Sequence, residues 1–243
     1  MNNSLYMVWN PSEGFDLGII TLRFYSLMFV VAFGIGWYIM KGIYNREEQS
    51  IEKLDNLFVY TVVATLVGAR LGHVFFYDWA YFKNHLLEIL LPMRETAEGW
   101  EFTGFAGLAS HGAAIAIILV MYFYSKNVVQ KPILWVLDRI VIPVASGAIF
   151  VRLGNFFNSE IVGKETTSSF GIKFIRDKFS PREAFEKTNI SDVNEAYKAI
   201  ETNPQFSEVL AEVYPKHPAQ LYEAFGYIFV FGILFYMYWK TDA

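Results

Sequence analysis

Arg23, Tyr25, Arg70, His73, His111, Arg152, Asn155, His217, Gln220, Tyr222 and Glu223 stand inside long apolar runs or at their ends. Charged groups in such runs are costly and usually face an interior cavity, so each is a functional candidate. Arginine offers a planar fork of donors that matches a phosphate. Histidine exchanges protons near neutral pH. Glu223 supplies a carboxylate able to orient a histidine or an arginine. This set suits a phospholipid head group with a proton transfer beside it. Plainer readings stand next to these. Arg23 reads equally as a snorkelling anchor, Arg70 as an ion-pair partner of Glu223, and His73 as a packing residue. Asp138 and Arg139 read as an inner structural pair, and His111 as a core histidine bonded to a carbonyl. His111, between Ser110 and Gly112, is the hardest of them to dismiss as packing.

Local spacing adds detail. In RLGNFFNSE (152–160), Gly154, Asn155 and Asn158 predict a helix that breaks at the membrane surface. Arg152, Asn155, Asn158 and Glu160 then share one compact turn. GARLG (68–72) is small-xxx-small, which permits close helix approach. The glycines and alanines of TGFAGLASHGAA (103–114) leave space beside His111, as a cavity or lipid path requires. Carboxylate and histidine spacings match no metal-ligand motif, so neither metal nor cofactor is implied. Cysteine is absent, which removes disulfides, thiolate metal sites and a cysteine nucleophile from this chain.

The elements that position these groups are apolar spans. Of 243 residues, 54% are hydrophobic and only 18% charged, and the net charge of −4 offers no basic footprint for nucleic acid. No signal peptide is visible. Five stretches, 17–40, 54–77, 104–124, 133–151 and 217–239, approach or exceed the roughly 20 residues a bilayer core needs. They are apolar nearly all round and carry aromatic residues at their ends. A soluble chain with five buried helices would need a larger core than this length can build. The reading is an all-α polytopic membrane protein with a small polar α/β head between spans four and five. Residues 1–155 form the membrane domain, with an interfacial arm at 78–102 in which Leu86, Leu87, Leu90 and Leu91 suit a short surface helix. Residues 156–216 form the head, with a strand at 171–175 and helices at 182–200 and 204–213. Residues 217–243 hold the fifth span and the cytoplasmic end. Lys41, Arg46, Lys53, Lys126, Lys131 and Lys240 lie on one side, against Lys83 and Arg94 on the other, so the N-terminus and head are expected outside. All five spans then bring polar groups to the outer leaflet. A transporter would place its site near the midplane, often within inverted repeats, and no repeat is present. A non-catalytic lipid-binding protein stays open at this point.

VRLGNFFNSEIVG (151–163) resembles the signature of the phosphatidylglycerol–prolipoprotein diacylglyceryl transferases. RFYSLMF (23–29), GARLGHVFFY (68–77), GLASHGAA (107–114) and HPAQLYEA (217–224) resemble further motifs of that family, in order and spacing. The resemblance covers essentially the whole chain. It implies transfer of a diacylglyceryl group from phosphatidylglycerol to the lipobox cysteine of a bacterial prolipoprotein, at the outer face of the inner membrane. It implies that Arg152 and Asn155 engage the head group and that Asn158, Glu160 and Gly163 shape that site. Arg70, His217, Gln220 and Glu223 join the substrate-binding set. His111 and Tyr25 match positions important in the family, with His111 as the candidate base, and Asp138 matches a position near the inner end of its span. Arg152 and Arg70 would offset charge on the leaving phosphate. Gly112–Ala113 stands where the family usually has two glycines. The family has two further spans, one carrying an arginine and a glutamate important for activity. The expectation is therefore a fragment of a longer protein, with a truncated relative as the alternative, and its activity apart from those two spans stays open at this point.

Overall fold

The computed structural model describes residues 6–16, 18, 21–96, 99–102 and 107–240. Three short strands come first: β1 (Met7–Trp9), β2 (Gly14–Asp16) and β3 (Thr21–Arg23). Helices α1 (Phe24–Arg46), α2 (Ile51–Phe76) and α3 (Trp79–Phe82) follow. The hairpin β4 (Met93–Thr96) and β5 (Gly99–Phe102) precedes α4 (Ser110–Tyr124) and α5 (Ile133–Phe157). Strand β6 (Ile172–Phe174) leads to α6 (Ile175–Lys178), α7 (Pro181–Thr188), α8 (Val193–Thr202), α9 (Ser207–Ala211) and α10 (Ala219–Lys240). Five helices are long and apolar enough to cross a membrane: α1, α2, α4 with its π-helical continuation to Val129, α5 and α10. They end close to where the hydropathy placed them, with differences that matter. Span one starts at Phe24, because β2 and β3 pair as a hairpin around Gly18 and occupy the stretch expected to be helical. Residues 17, 19, 20 and 104–106 of the expected spans, and the tail 241–243, lie outside the described residues.

The described chain divides into two compact units. One comprises residues up to Gly36 and from Ile142 onward, and the other runs Trp37–Val141. Within the second unit, α2 and α4 meet through their small residues. A Cβ added to Gly112 would stand 2.6 Å from Gly72 Cα and collide with the Gly68 carbonyl oxygen. The small residues beside His111 are thus filled by a helix crossing rather than left as a cavity. Gly112→Ala is expected to destabilise the protein by about 1–3 kcal/mol, the usual cost of overpacking. A thermal melt in detergent checks it, with Ala114→Ser, at an exposed position, as the neutral control.

The arm of this unit is not the surface helix expected. Leu86–Ile89 form one 3-10 turn, and β4 pairs with β5 beyond it. Leu86, Leu87 and Leu90 are exposed, as an interfacial arm would have them. Pro92 ends the turn by withholding an amide. Arg70 fixes the arm, donating from Nε to the Ile89 carbonyl (2.9 Å) and from Nη2 to that of Glu88 (2.6 Å). Burial opposes charge on Glu88, yet bonds from the Glu95 amide and the Tyr81 hydroxyl hold its carboxyl below the usual range. At the other end of α2, Tyr44 and Tyr124 share a 2.6 Å hydroxyl bond, and Arg139 grips Glu47 at 2.9 Å. Asp138 pairs with Arg139 at 4.0 Å, as expected of an inner structural pair, and Glu47 is the closer partner that the sequence did not offer.

In the first unit the insert 156–216 builds its own core from Ile175, Phe179, Ala184, Ala196, Tyr197, Ile200 and Val213. The strand expected at 171–175 is present as β6, and its partner is β1, in parallel register from Met7↔Ile172 to Trp9↔Phe174. Sequence placed residues 6–13 with the membrane domain. Here Val8 packs on the insert's core, and Arg176 binds Asn10 (3.0 Å) and Glu13 (2.9 Å). The helix expected over 182–200 is two helices, because Asn189 turns left-handed and Asp192 starts a new cap. The 204–213 helix is reduced to a 3-10 turn and α9.

Ser180 and Glu183 close a capping box on α7. Ser180→Ala is expected to cost about 1 kcal/mol. The bonds from Ser180 pull the Glu183 carboxyl below its usual range. A depressed carboxylate contributes stability above its unfolded pKa, and that contribution is lost as pH falls through the folded value. Protection of the amides over 181–188, taken relative to the intrinsic exchange rate at each pH, should therefore fall on acidification below about pH 4. Glu183→Gln should remove that dependence.

Candidate functional site

The last turn of α5 and the segment after it carry most of the predicted site. Helix α5 runs on past Pro143 and Gly154, through Arg152 and Asn155, and ends at Phe157. The chain then reverses tightly: the amides of Asn158 and Glu160 donate to the carbonyls of Gly154 and Asn155, each at 3.0 Å. That reversal aims Glu160 back at the helix. Asn155 Nδ2 and Asn158 Nδ2 both donate to Glu160 Oε1, at 3.1 and 3.2 Å. Arg152 Nη1 lies 3.5 Å from Asn155 Oδ1. Arg152, Asn155, Asn158 and Glu160 therefore share the turn their spacing predicts.

The start of α10 completes the arrangement. Glu223 Oε2 holds Arg152 Nε at 2.7 Å, with the guanidinium side chain 25% exposed. The sequence offered Arg70 as a partner of Glu223, but Glu223 pairs with Arg152, while Arg70 anchors the arm. Gln220 donates to the Glu160 carbonyl at 2.7 Å. His217 and Gly163 run side by side, with the Gly163 amide on the His217 carbonyl at 2.9 Å. A Cβ at Gly163 would stand 2.7 Å from that oxygen, so only glycine permits the approach. The His217 ring meets the Tyr222 hydroxyl at 3.0 Å. From α1, Tyr25 lies over Gly154, and its hydroxyl sits by Asn155 with the charges of Arg152 and Glu160 around it.

These groups form a connected polar cluster at helix ends. Glu223 fixes Arg152 through Nε, which orients the rest of a planar fork suited to phosphate. Glu160 collects amide donors and is itself exposed.

Arg70 and His111 belong to the other unit. His111 is the second residue of α4, near the start of its span, since Ala109 is extended and the helix starts at Ser110. Its ring is exposed and contacts Phe76 (5.0 Å) and Tyr77 (5.6 Å). Among the described residues it makes no hydrogen bond to a carbonyl of the kind the core reading requires. His73 stacks on Tyr77 and edges Phe82, the packing role expected of it. Arg23 stands ahead of α1, exposed, 3.9 Å from Glu13. Sequence reasoning did not find the left-handed residues Ser159 and Ile161, nor the Trp9 indole bonded to the Phe156 carbonyl at 2.9 Å. Nothing in the composition of 159–161 announces that backbone.

Five membrane-length helices define a polytopic membrane protein, and an arginine–carboxylate–amide cluster stands at its helix ends. The model of the prolipoprotein diacylglyceryl transferase family matches residues 13–243, and the chain belongs to that family. It is similar to the phosphatidylglycerol–prolipoprotein diacylglyceryl transferase of Chloroherpeton thalassium, 35% identical over 243 residues, 100% of this chain and 74% of that protein. The protein of the same name from Porphyromonas gingivalis is 38% identical over 220 residues, 90% of this chain and 65% of the relative. That of Bacteroides fragilis is 32% identical over 241 residues, 98% and 74% of the two chains.

Proposed function

We propose that this chain is a transferase that moves the diacylglyceryl group of phosphatidylglycerol onto a prolipoprotein, at the lipobox cysteine. The observation that carries this reading is the Arg152–Glu223 pair beside Asn155 and Glu160, on residues that the family match spans. The reaction is a substitution at the glycerol carbon that bears the phosphate. A sulfur–carbon bond forms, the carbon–oxygen bond to phosphate breaks, and glycerol phosphate leaves. The nucleophile is the thiolate, and its proton goes to a base, for which His111 is the proposed group. Arg152, oriented by Glu223, stabilises charge on the departing phosphate. Asn155, Asn158 and Glu160 shape the head-group site, with hydroxyl acceptors at Glu160 and donors at the amides. Tyr25 and His217 line it, and Gly163 keeps its backbone close. Arg70 supports the arm on which the leucines face the bilayer interface.

The proposed setting is the bacterial inner membrane, with the N-terminus and the head 156–216 extracytoplasmic and the site near the outer leaflet. Single cysteines at Ser180 and Gln49 test it, since the chain has no cysteine of its own. An impermeant thiol reagent on spheroplasts is expected to label position 180 and spare position 49. The reverse pattern would place the site at the cytoplasmic leaflet and contradict the account.

The function is tested by supplying phosphatidylglycerol and a lipobox peptide to the membrane-embedded protein. The expected product is a diacylglyceryl thioether peptide together with glycerol phosphate, read by mass spectrometry. A peptide with serine in place of the cysteine should stay unmodified. Lipid turnover without a peptide product would exclude the transferase reading.

A further inference from the structure

Gln220 opens α10 and is completely buried, 0% exposed. Its Nε2 donates to the main-chain carbonyl of Glu160, 60 residues away in sequence. Its Oε1 has no hydrogen-bond partner among the described residues. A side chain with no exposed atom does not touch a lipid head group, so the substrate contact expected from sequence needs another account. The acceptor supplies one. Glu160 lies between two left-handed residues, Ser159 at φ 56° and Ile161 at φ 57°. For a β-branched residue that conformation is a genuine outlier. Ile161 is 58% exposed, so its burial does not offset the strain. Strained backbone persists only where the surroundings over-determine it. The Glu160 amide is held by the Asn155 carbonyl and the Gly163 amide by His217, and Gln220 holds the carbonyl between them.

We propose that Gln220 is a positioning residue for the transfer reaction. By fixing the Glu160–Ile161 peptide it keeps the Glu160 carboxylate on Asn155 and Asn158. It stands three residues before Glu223 on the same helix, so it also ties that turn to the carboxylate that orients Arg152. This inference rests on the transferase reading above for its kinetic part, and its structural part stands apart from it.

Gln220→Met keeps the length and burial of the side chain and removes the donor. In the membrane-embedded protein it is expected to lower kcat at least about tenfold, the scale of a small misplacement of a catalytic group. Amide exchange over 160–163 should quicken. Asparagine accepts the left-handed region far more readily than isoleucine. Adding Ile161→Asn to Gln220→Met should therefore restore kcat to within about threefold of Ile161→Asn alone, a coupling that mere packing would not produce. Wild-type kcat in Gln220→Met, unchanged exchange at 160–163, or a failed restoration would each overturn the proposal. If the wild type itself transfers nothing, the functional reading falls, and the exchange measurement alone decides whether Gln220 holds the turn.

Discussion

Arg152→Lys is expected to lower turnover at least tenfold, about 1.4 kcal/mol of barrier. Lysine keeps the positive charge, so the loss isolates the value of the planar fork. Arg152 is held from two sides, by Glu223 on Nε at 2.7 Å and by Asn155 near Nη1 at 3.5 Å. An ammonium group satisfies Glu223 but cannot at the same time present parallel donors to a phosphate. Glu223→Gln is expected to act in the same direction and more weakly, because the guanidinium remains and only its orientation is relaxed. Turnover is measured at saturating lipid, so that weaker binding is separated from slower chemistry. Unchanged turnover with lysine would reduce Arg152 to an interface anchor.

The second large effect is at His111. If it takes the thiol proton, His111→Gln should fold normally and lose roughly 10²- to 10⁴-fold in rate, the range of a general base. Glutamine takes no proton, so the variant depends on thiol that is already ionised. That fraction rises with pH toward the free cysteine pKa of about 8.5. The gap between wild type and variant should therefore narrow as pH rises. The exposed ring, in contact with Phe76 and Tyr77, makes a large stability cost unexpected, and a thermal melt recorded alongside confirms the fold. Wild-type rates in a stable His111→Gln protein would exclude proton transfer. A large loss that stays constant with pH would assign His111 to substrate positioning instead.

The sequence made the spans legible because hydropathy over about 20 residues is a strong signal. It also made the 152–160 turn legible, since glycine and asparagine at those spacings leave few other backbones. Partner choice was harder. Arg152, Arg70, Glu223, Glu47 and Arg139 are far apart in the chain, and pairing between distant charges depends on helix rotation that local pattern does not encode. The same holds for β1, three residues whose strand state depends wholly on β6. Gly112 was read as space and serves as contact, because a small residue permits either, and the partner helix decides. The segment at Leu86–Ile89 reads as a short surface helix and forms a single 3-10 turn, because four leucines match helical spacing whether or not Pro92 follows.

The central claim is that the cluster around Arg152 holds the phosphate of the lipid substrate. Retention of phosphatidylglycerol by the purified protein tests it most directly, read by native mass spectrometry against a diacylglycerol with the same acyl chains. The account predicts that the wild type retains phosphatidylglycerol over diacylglycerol and that Arg152→Lys loses most of that preference. Equal retention of the two lipids by the wild type, or an unchanged preference in Arg152→Lys, would contradict it.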